Sequence, residues 1–248
     1  MNFRRSPGFK VRSFVPELTD EDKLLADQVL KAVFGIFALE KCLPEVRLVM
    51  PVTPVVYPGM LDRDINKMFL RSAHDWSHFS HTEHILVAGH HEEAGTEYQL
   101  SVQYLSTLLS TRTCEVMVHS QVAANIAPDT AVWVADQVEQ LSLSAVALRA
   151  PAFHLPRMFL TQLAEFQRRN LQVVLLPWSS TANPFEIFPL TGPWEGEAYS
   201  QADLFPGELI RICDYVKKRD IASPEQLQSY VTWLYTKSPA AQKLSRSR

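Results

Sequence analysis

The chain has 248 residues, 46% of them hydrophobic and 21% charged, which excludes a disordered polar chain and allows one large globular unit. Its net charge of −3 hides an asymmetry, because Arg4, Arg5, Lys10 and Arg12 at one end and Lys237, Lys243, Arg246 and Arg248 at the other leave 16 of the 24 basic residues against all 27 acidic ones between them. An acidic body with short basic ends excludes a nucleic-acid surface on the folded part, since phosphate neutralisation needs clustered Lys and Arg. No apolar run approaches membrane-spanning length, and the first residues, MNFRRSPGFK, lack the apolar core of a signal peptide. Cys42, Cys114 and Cys213 are scattered and form no CxxC pair, which predicts reduced thiols and a cytoplasmic location.

In chain order, residues 1–17 read as a basic arm. Residues 18–83 read as an N-terminal helical segment. Thr19-Asp20-Glu21-Asp22 has the form of a capping box and precedes Leu24, Leu25, Val29, Leu30, Val33, Phe34 and Phe37, a helical stripe. VRLVMPVTPVVY (46–57) is rich in β-branched residues but broken by Pro51 and Pro54, so it is expected as an edge strand or an extended arm. A second helix is expected from Asp62 towards Trp76.

Residues 84–178 read as the core of an α/β unit. The apolar runs HILVAG, CEVMVH, AVALRAP and QVVLLPW alternate with segments of helical period, and Pro156 is placed to open the last of those helices. Near-continuous apolar strands alternating with helices predict a three-layer α/β fold. Its sheet is mostly parallel with about four strands, Rossmann-like but without a glycine-rich loop, and helices flank it at both ends. Residues 179–206 hold Phe185, Phe188, Trp194, Tyr199 and Phe205 among four prolines, with no Lys or Arg. So long a connector inside a compact unit calls for a reason, and wrapping the sheet or docking a partner would supply one. Residues 207–236 read as a helical pair, around Leu209–Val216 and after the cap Ser223-Pro224-Glu225. Residues 237–248 read as a disordered basic tail.

Parallel sheets bind ligands outside the carboxyl ends of their strands. Phosphate loops there need glycine, yet the chain has eight glycines and none between Gly95 and Gly192. Neither G-x-G-x-x-G, nor G-x-x-x-x-G-K-[ST], nor G-x-S-x-G occurs. What does occur is histidine: Ser72–Gly95 holds six of the eight histidines. His90, His91, Glu92 and Glu93 follow the first of those runs, His119 closes the second, His154 lies past the third and Ser179-Ser180 lies just past the fourth. A zinc hydrolase needs about three ligands and a carboxylate base. His90, Glu93 and either His119 or His154 would serve as ligands, with Glu92 as the base. The strand followed by His90-His91-Glu92-Glu93 resembles the A-H-P-D-D-E strand end of zinc-dependent deacetylases acting on N-acetylglucosaminyl substrates. That resemblance implies zinc held by His90 and Glu93, with Glu92 as base. The chain departs from the pattern at His91 and in its glutamates, and it lacks the later H-x-x-H.

Two functions are therefore expected. The first is a non-catalytic accessory or adaptor protein whose degenerate α/β domain binds partner proteins, through Phe185, Phe188, Trp194 and Tyr199. The alternative is a zinc-dependent hydrolase or deacetylase acting on a small polar substrate.

Overall fold

The computed structural model describes residues 19–57, 71–73, 75–76, 82–91, 114–121, 126–179, 187–189 and 198–246. Its centre is a five-stranded, all-parallel sheet flanked by helices. The strands are β1 (Thr53–Val56), β2 (His84–His91), β3 (Glu115–Gln121), β4 (Ala145–Ala150) and β5 (Val174–Ser179), in the order β3-β2-β1-β4-β5. The α/β expectation holds, with one strand more than predicted. That strand is β1, and it lies at the middle of the sheet, not at an edge.

The reason lies in where Pro54 points its missing donor. The Tyr57 N–H donates to the Arg149 carbonyl at 2.9 Å. By the alternation of an extended strand, the odd-numbered amides of β1 therefore face β4. Pro54 faces β2, where pairing begins one residue later, at Val55 opposite Leu86. The proline thus stands where the ladder has not yet started, and all four residues of β1 are buried.

Ahead of β1 stand α1 (Asp20–Leu39) and α2 (Leu43–Val49), joined by a 3-10 turn at Glu40–Cys42. Part of the run expected as an extended segment is thus helical. The Thr19 capping box forms as the sequence implies, with Asp22 as its second member. Between β3 and β4 lies α3 (Ile126–Gln140), and between β4 and β5 lies α4 (Leu155–Arg168), entered through Pro156. These two helices pack on each other and on β2, β4 and β5. In a chain poor in glycine, Ser142, Asn170 and Arg219 take the left-handed conformation (φ 53°, 56° and 62°) just past the ends of helices. Leu143, Leu171 and Asp220 each bond back five residues, so polar side chains stand where glycine is usual.

Downstream, β6 (Ile187–Pro189) and β7 (Ala198–Ser200) pair antiparallel, so part of the segment expected as a structureless connector is a ribbon. Three helices follow: α5 (Gln201–Lys218), α6 (Pro224–Thr236) and α7 (Pro239–Arg246). The first starts earlier than expected. Pro206 falls in its second turn on the exposed side, where a proline forfeits only the bond to the Ala202 carbonyl. The last replaces the expected disordered tail, because Ser238 caps it through the Ala241 N–H and Ala240 is buried against the core.

The free edge of β5 shows how long-range partners close the sheet. The Val174 N–H bonds towards β4, to the Ser144 carbonyl, so Leu175, Pro177 and Ser179 present the outward amides. Leu175 donates to the Tyr230 hydroxyl at 2.7 Å, and that hydroxyl donates to the Leu175 carbonyl at 2.6 Å. Pro177 has no N–H, and Ser179 N–H donates to the Glu40 carboxylate at 2.8 Å. Every outward donor of that edge is satisfied or absent, which blocks pairing with another chain.

Candidate functional site at the carboxyl edge of the sheet

Because the five strands are parallel, their carboxyl ends open on one edge, and the order places the switch point between β1 and β4. The sequence-predicted ligands are distributed along that edge. His90 is registered opposite Ser120, one residue beyond His119, just after an irregularity in the β2–β3 ladder. Its side chain, together with Glu92 and Glu93, lies outside the described residues. So do Phe185 and Trp194 and the side chains of Phe188 and Tyr199, although the ribbon register sets those two residues opposite each other.

His119 stacks on Trp133 of α3, with ring centroids 5.0 Å apart and planes 13° from parallel. Burial lowers its pKa, partly opposed by Asp129, and its Nδ1 is buried without a hydrogen-bond partner among the described residues. His154 stands three strands away, at the entrance to α4, and is already engaged. Arg157 Nη2 lies 3.0 Å from its Nδ1, and Glu208 Oε2 lies 3.6 Å away. Among the described residues no group of three His, Cys, Asp or Glu is placed to hold a metal ion.

Around His154 the structure assembles a cluster that the sequence did not disclose. Glu208 of α5 is only 2% exposed and accepts from Arg157 Nε at 2.6 Å and from Arg211 Nη1 at 2.5 Å. The Arg157 guanidinium lies 5.9 Å from the centroid of the Tyr215 ring. Burial works against the Glu208 charge, but the Arg157 guanidinium bonded to it helps to hold the carboxyl well below the usual range. Burial, then the Arg157 charge, keeps the His154 imidazole below its ordinary value, so it is neutral at pH 7. The H-x-x-R spacing of His154 and Arg157 was visible in the sequence. Their carboxylate partner, 51 residues beyond Arg157, was not.

At the ends of β4 and β5 lies a second assembly. Arg47, Trp76, Trp178 and Arg149 stack in that order, with separations of 5.1 Å, 4.7 Å and 4.4 Å. Trp76 Nε1 donates to the Val52 carbonyl at 3.3 Å, and Ser179 Oγ donates to the Glu40 carboxylate at 2.9 Å. Burial lowers the Arg149 guanidinium to about 10, against the pull of Glu40. This group ties α1, α2 and the Trp76 segment to the sheet edge, so the chain's own aromatic and cationic groups fill it.

A third feature faces solvent. Phe37 of α1 packs on Phe205 of α5, and Lys217 of α5 pairs with Asp22 of α1, so the two helices run antiparallel. Leu30 lies seven residues before Phe37, and Ile210 seven before Lys217. Seven residues are just under two turns, so each shares the face of a residue that touches the other helix. Phe34 follows Leu30 by four. Leu30 and Ile210 thus flank the α1/α5 seam and Phe34 lies one turn on from Leu30, with Phe34 64% and Ile210 59% exposed. The apolar stripe read in the sequence was wider than one helix face: Val29 and Val33 are buried, while Leu24, Leu30 and Phe34 are not.

No helix among the described residues is long and apolar enough to cross a membrane. Searches with the whole chain against protein-family models, curated proteins and solved structures found no match.

Proposed function

We propose that this chain is a non-catalytic accessory protein that binds a partner protein through the α1/α5 seam. The observation that carries this reading is the exposure of Phe34 and Ile210, large apolar side chains on two helices that touch through Phe37 and Phe205. Leaving Phe34 and Ile210 in water forgoes about 1.5–3 kcal/mol each relative to burial, and apolar patches of this kind mark sites of association. The β6–β7 ribbon, in which Phe188 and Tyr199 stand opposite each other in register, leads directly into α5. Cys42, Cys114 and Cys213 form no disulfide with one another, which supports work in a reducing, cytoplasm-like compartment.

The double substitution Phe34→Asp with Ile210→Asp is expected to weaken partner association by at least about 30-fold while leaving the melting temperature within a few degrees of wild type. The check is quantitative affinity purification of the tagged chain from its own cells, with Gln228→Asp on α6 as control. Equal recovery of the same partner with both variants contradicts the proposal.

A zinc hydrolase remains as a second reading for one reason: His119 holds a neutral imidazole on the strand beside His90. On that reading His90, Glu93 and His119 ligate the ion and Glu92 is the base. Elemental analysis decides it, since near-stoichiometric zinc that His119→Ala abolishes is required.

A further inference from the structure

The two edges of the sheet differ. At β5 the outward groups meet Tyr230 and Glu40, whereas β3, at the other end, pairs with β2 alone among the described residues. The Glu115 N–H bonds towards β2, to the Glu83 carbonyl at 2.7 Å. By the alternation of an extended strand, Glu115, Met117 and His119 turn their backbone groups inward. Val116 and Val118 turn theirs outward, and among the described residues nothing bonds to them there. Val116, Met117 and Val118 are half-buried, while Ile85, Leu86 and Val87 on the neighbouring strand are fully buried.

The strand lacks the usual devices that keep an edge from pairing. It has no proline, lysine or arginine, and its one carboxylate, Glu115, stands at its first position. It is also complementary to itself. A two-fold axis at Met117 brings two copies of β3 together antiparallel, so that Val116 of each meets Val118 of the other. Each such pair exchanges two backbone bonds, which uses the outward groups of both strands. The same register sets Glu115, whose side chain is 72% exposed, opposite His119 of the second copy. Carboxylate then faces imidazole, and no two like charges stand opposite each other.

We propose that the outer edge of β3 is a dimer interface, which pairs antiparallel with β3 of a second copy of this chain and joins two five-stranded sheets into one. Because α1 packs on β5, at the far edge of the sheet, the dimer leaves the α1/α5 seam of both copies open. The proposal therefore stands apart from partner binding at that seam.

Sedimentation equilibrium of the purified full chain, at concentrations up to about 100 µM, tests it. A reversible dimer is expected. Val118→Pro removes an outward donor from each copy and leaves the bonds to β2 in place, a change that edge strands accept. It is expected to weaken the dimer at least about tenfold, since the two-fold axis counts every substitution twice. Gln228→Asp on α6 is expected to change nothing. A monomer at every concentration, or a Val118→Pro dimer as tight as wild type, overturns the proposal. If Val118→Pro melts early, Met117→Cys decides instead. The axis sets that position against its own copy at about 4.5 Å between Cα atoms, within disulfide range. Mild oxidation is then expected to link two Met117→Cys chains where wild-type chains stay unlinked. Linking no greater than in wild type overturns the proposal.

Discussion

Glu208→Ala is expected to lower the unfolding free energy by about 3–5 kcal/mol, the range for removing one partner of a buried ion pair. Glu208 is 2% exposed and Arg157 14%, so the guanidinium left behind cannot be rehydrated without moving α5 away from α4. The loss also brings Arg157 and Arg211 together without the carboxylate between them. Glu208→Gln keeps the shape and one acceptor oxygen, and is expected to cost less. The same group predicts an acid limb. Its carboxyl is held below its ordinary value of 4.5 in the fold, so the unfolded chain binds more protons and stability falls as pH drops below about 4.5. The neutral His154 acts earlier and with the same sign. The unfolded imidazole takes a proton below 6.5 that the folded one resists, so stability declines from there downward. Thermal melts from pH 8 to 3 are expected to show a plateau and then two falls, the lower one missing in Glu208→Ala and the upper one missing in His154→Gln. A flat profile in wild type contradicts this account.

The second large effect is at the sheet edge. Tyr230→Ala removes an aromatic ring that packs against Phe159 and Trp233, and it strips the Leu175 N–H and C=O of their partner. A loss of about 3–5 kcal/mol is expected, the range for deleting a buried aromatic side chain. Tyr230→Phe separates the two contributions. It keeps the ring, leaves the buried backbone groups of Leu175 unpaired and is expected to cost about 1–3 kcal/mol. Denaturant titrations of both variants check this, and light scattering during heating checks a further consequence. With the hydroxyl gone, the edge of β5 is open for pairing, so both variants are expected to aggregate earlier than their stability loss alone explains. A Tyr230→Phe protein within about 0.5 kcal/mol of wild type contradicts the edge-closing role.

The strands most legible in the sequence were β4 and β5, where six and four successive residues are buried and apolar runs announce a strand covered on both faces. The caps at Thr19 and Ser223 were equally legible, because a capping box is written within four residues. What failed was any inference that needed a distant partner. Pro54 argued against a central strand, and only the neighbouring register shows that its missing donor meets an unpaired position. The closures of β5 by Tyr230 and Glu40 span 55 and 139 residues, beyond any local pattern. The histidines drew attention as possible ligands, yet His154 is bound by an arginine and His119 is stacked on a tryptophan. At the proposed surface the stripe of α1 did not separate inner from outer positions: it carries Leu30 and Phe34 on its outer flank.

The central claim is that Phe34 lies in a protein-binding surface. The most direct test places a photoreactive phenylalanine analogue at position 34 of the full chain, in its own cells, with the same analogue at position 228 as reference. Irradiation is expected to yield one discrete adduct with a second protein from position 34, none from position 228, and none from position 34 when Ile210 is changed to Asp. No adduct from position 34, or the same adducts from both positions, contradicts the claim.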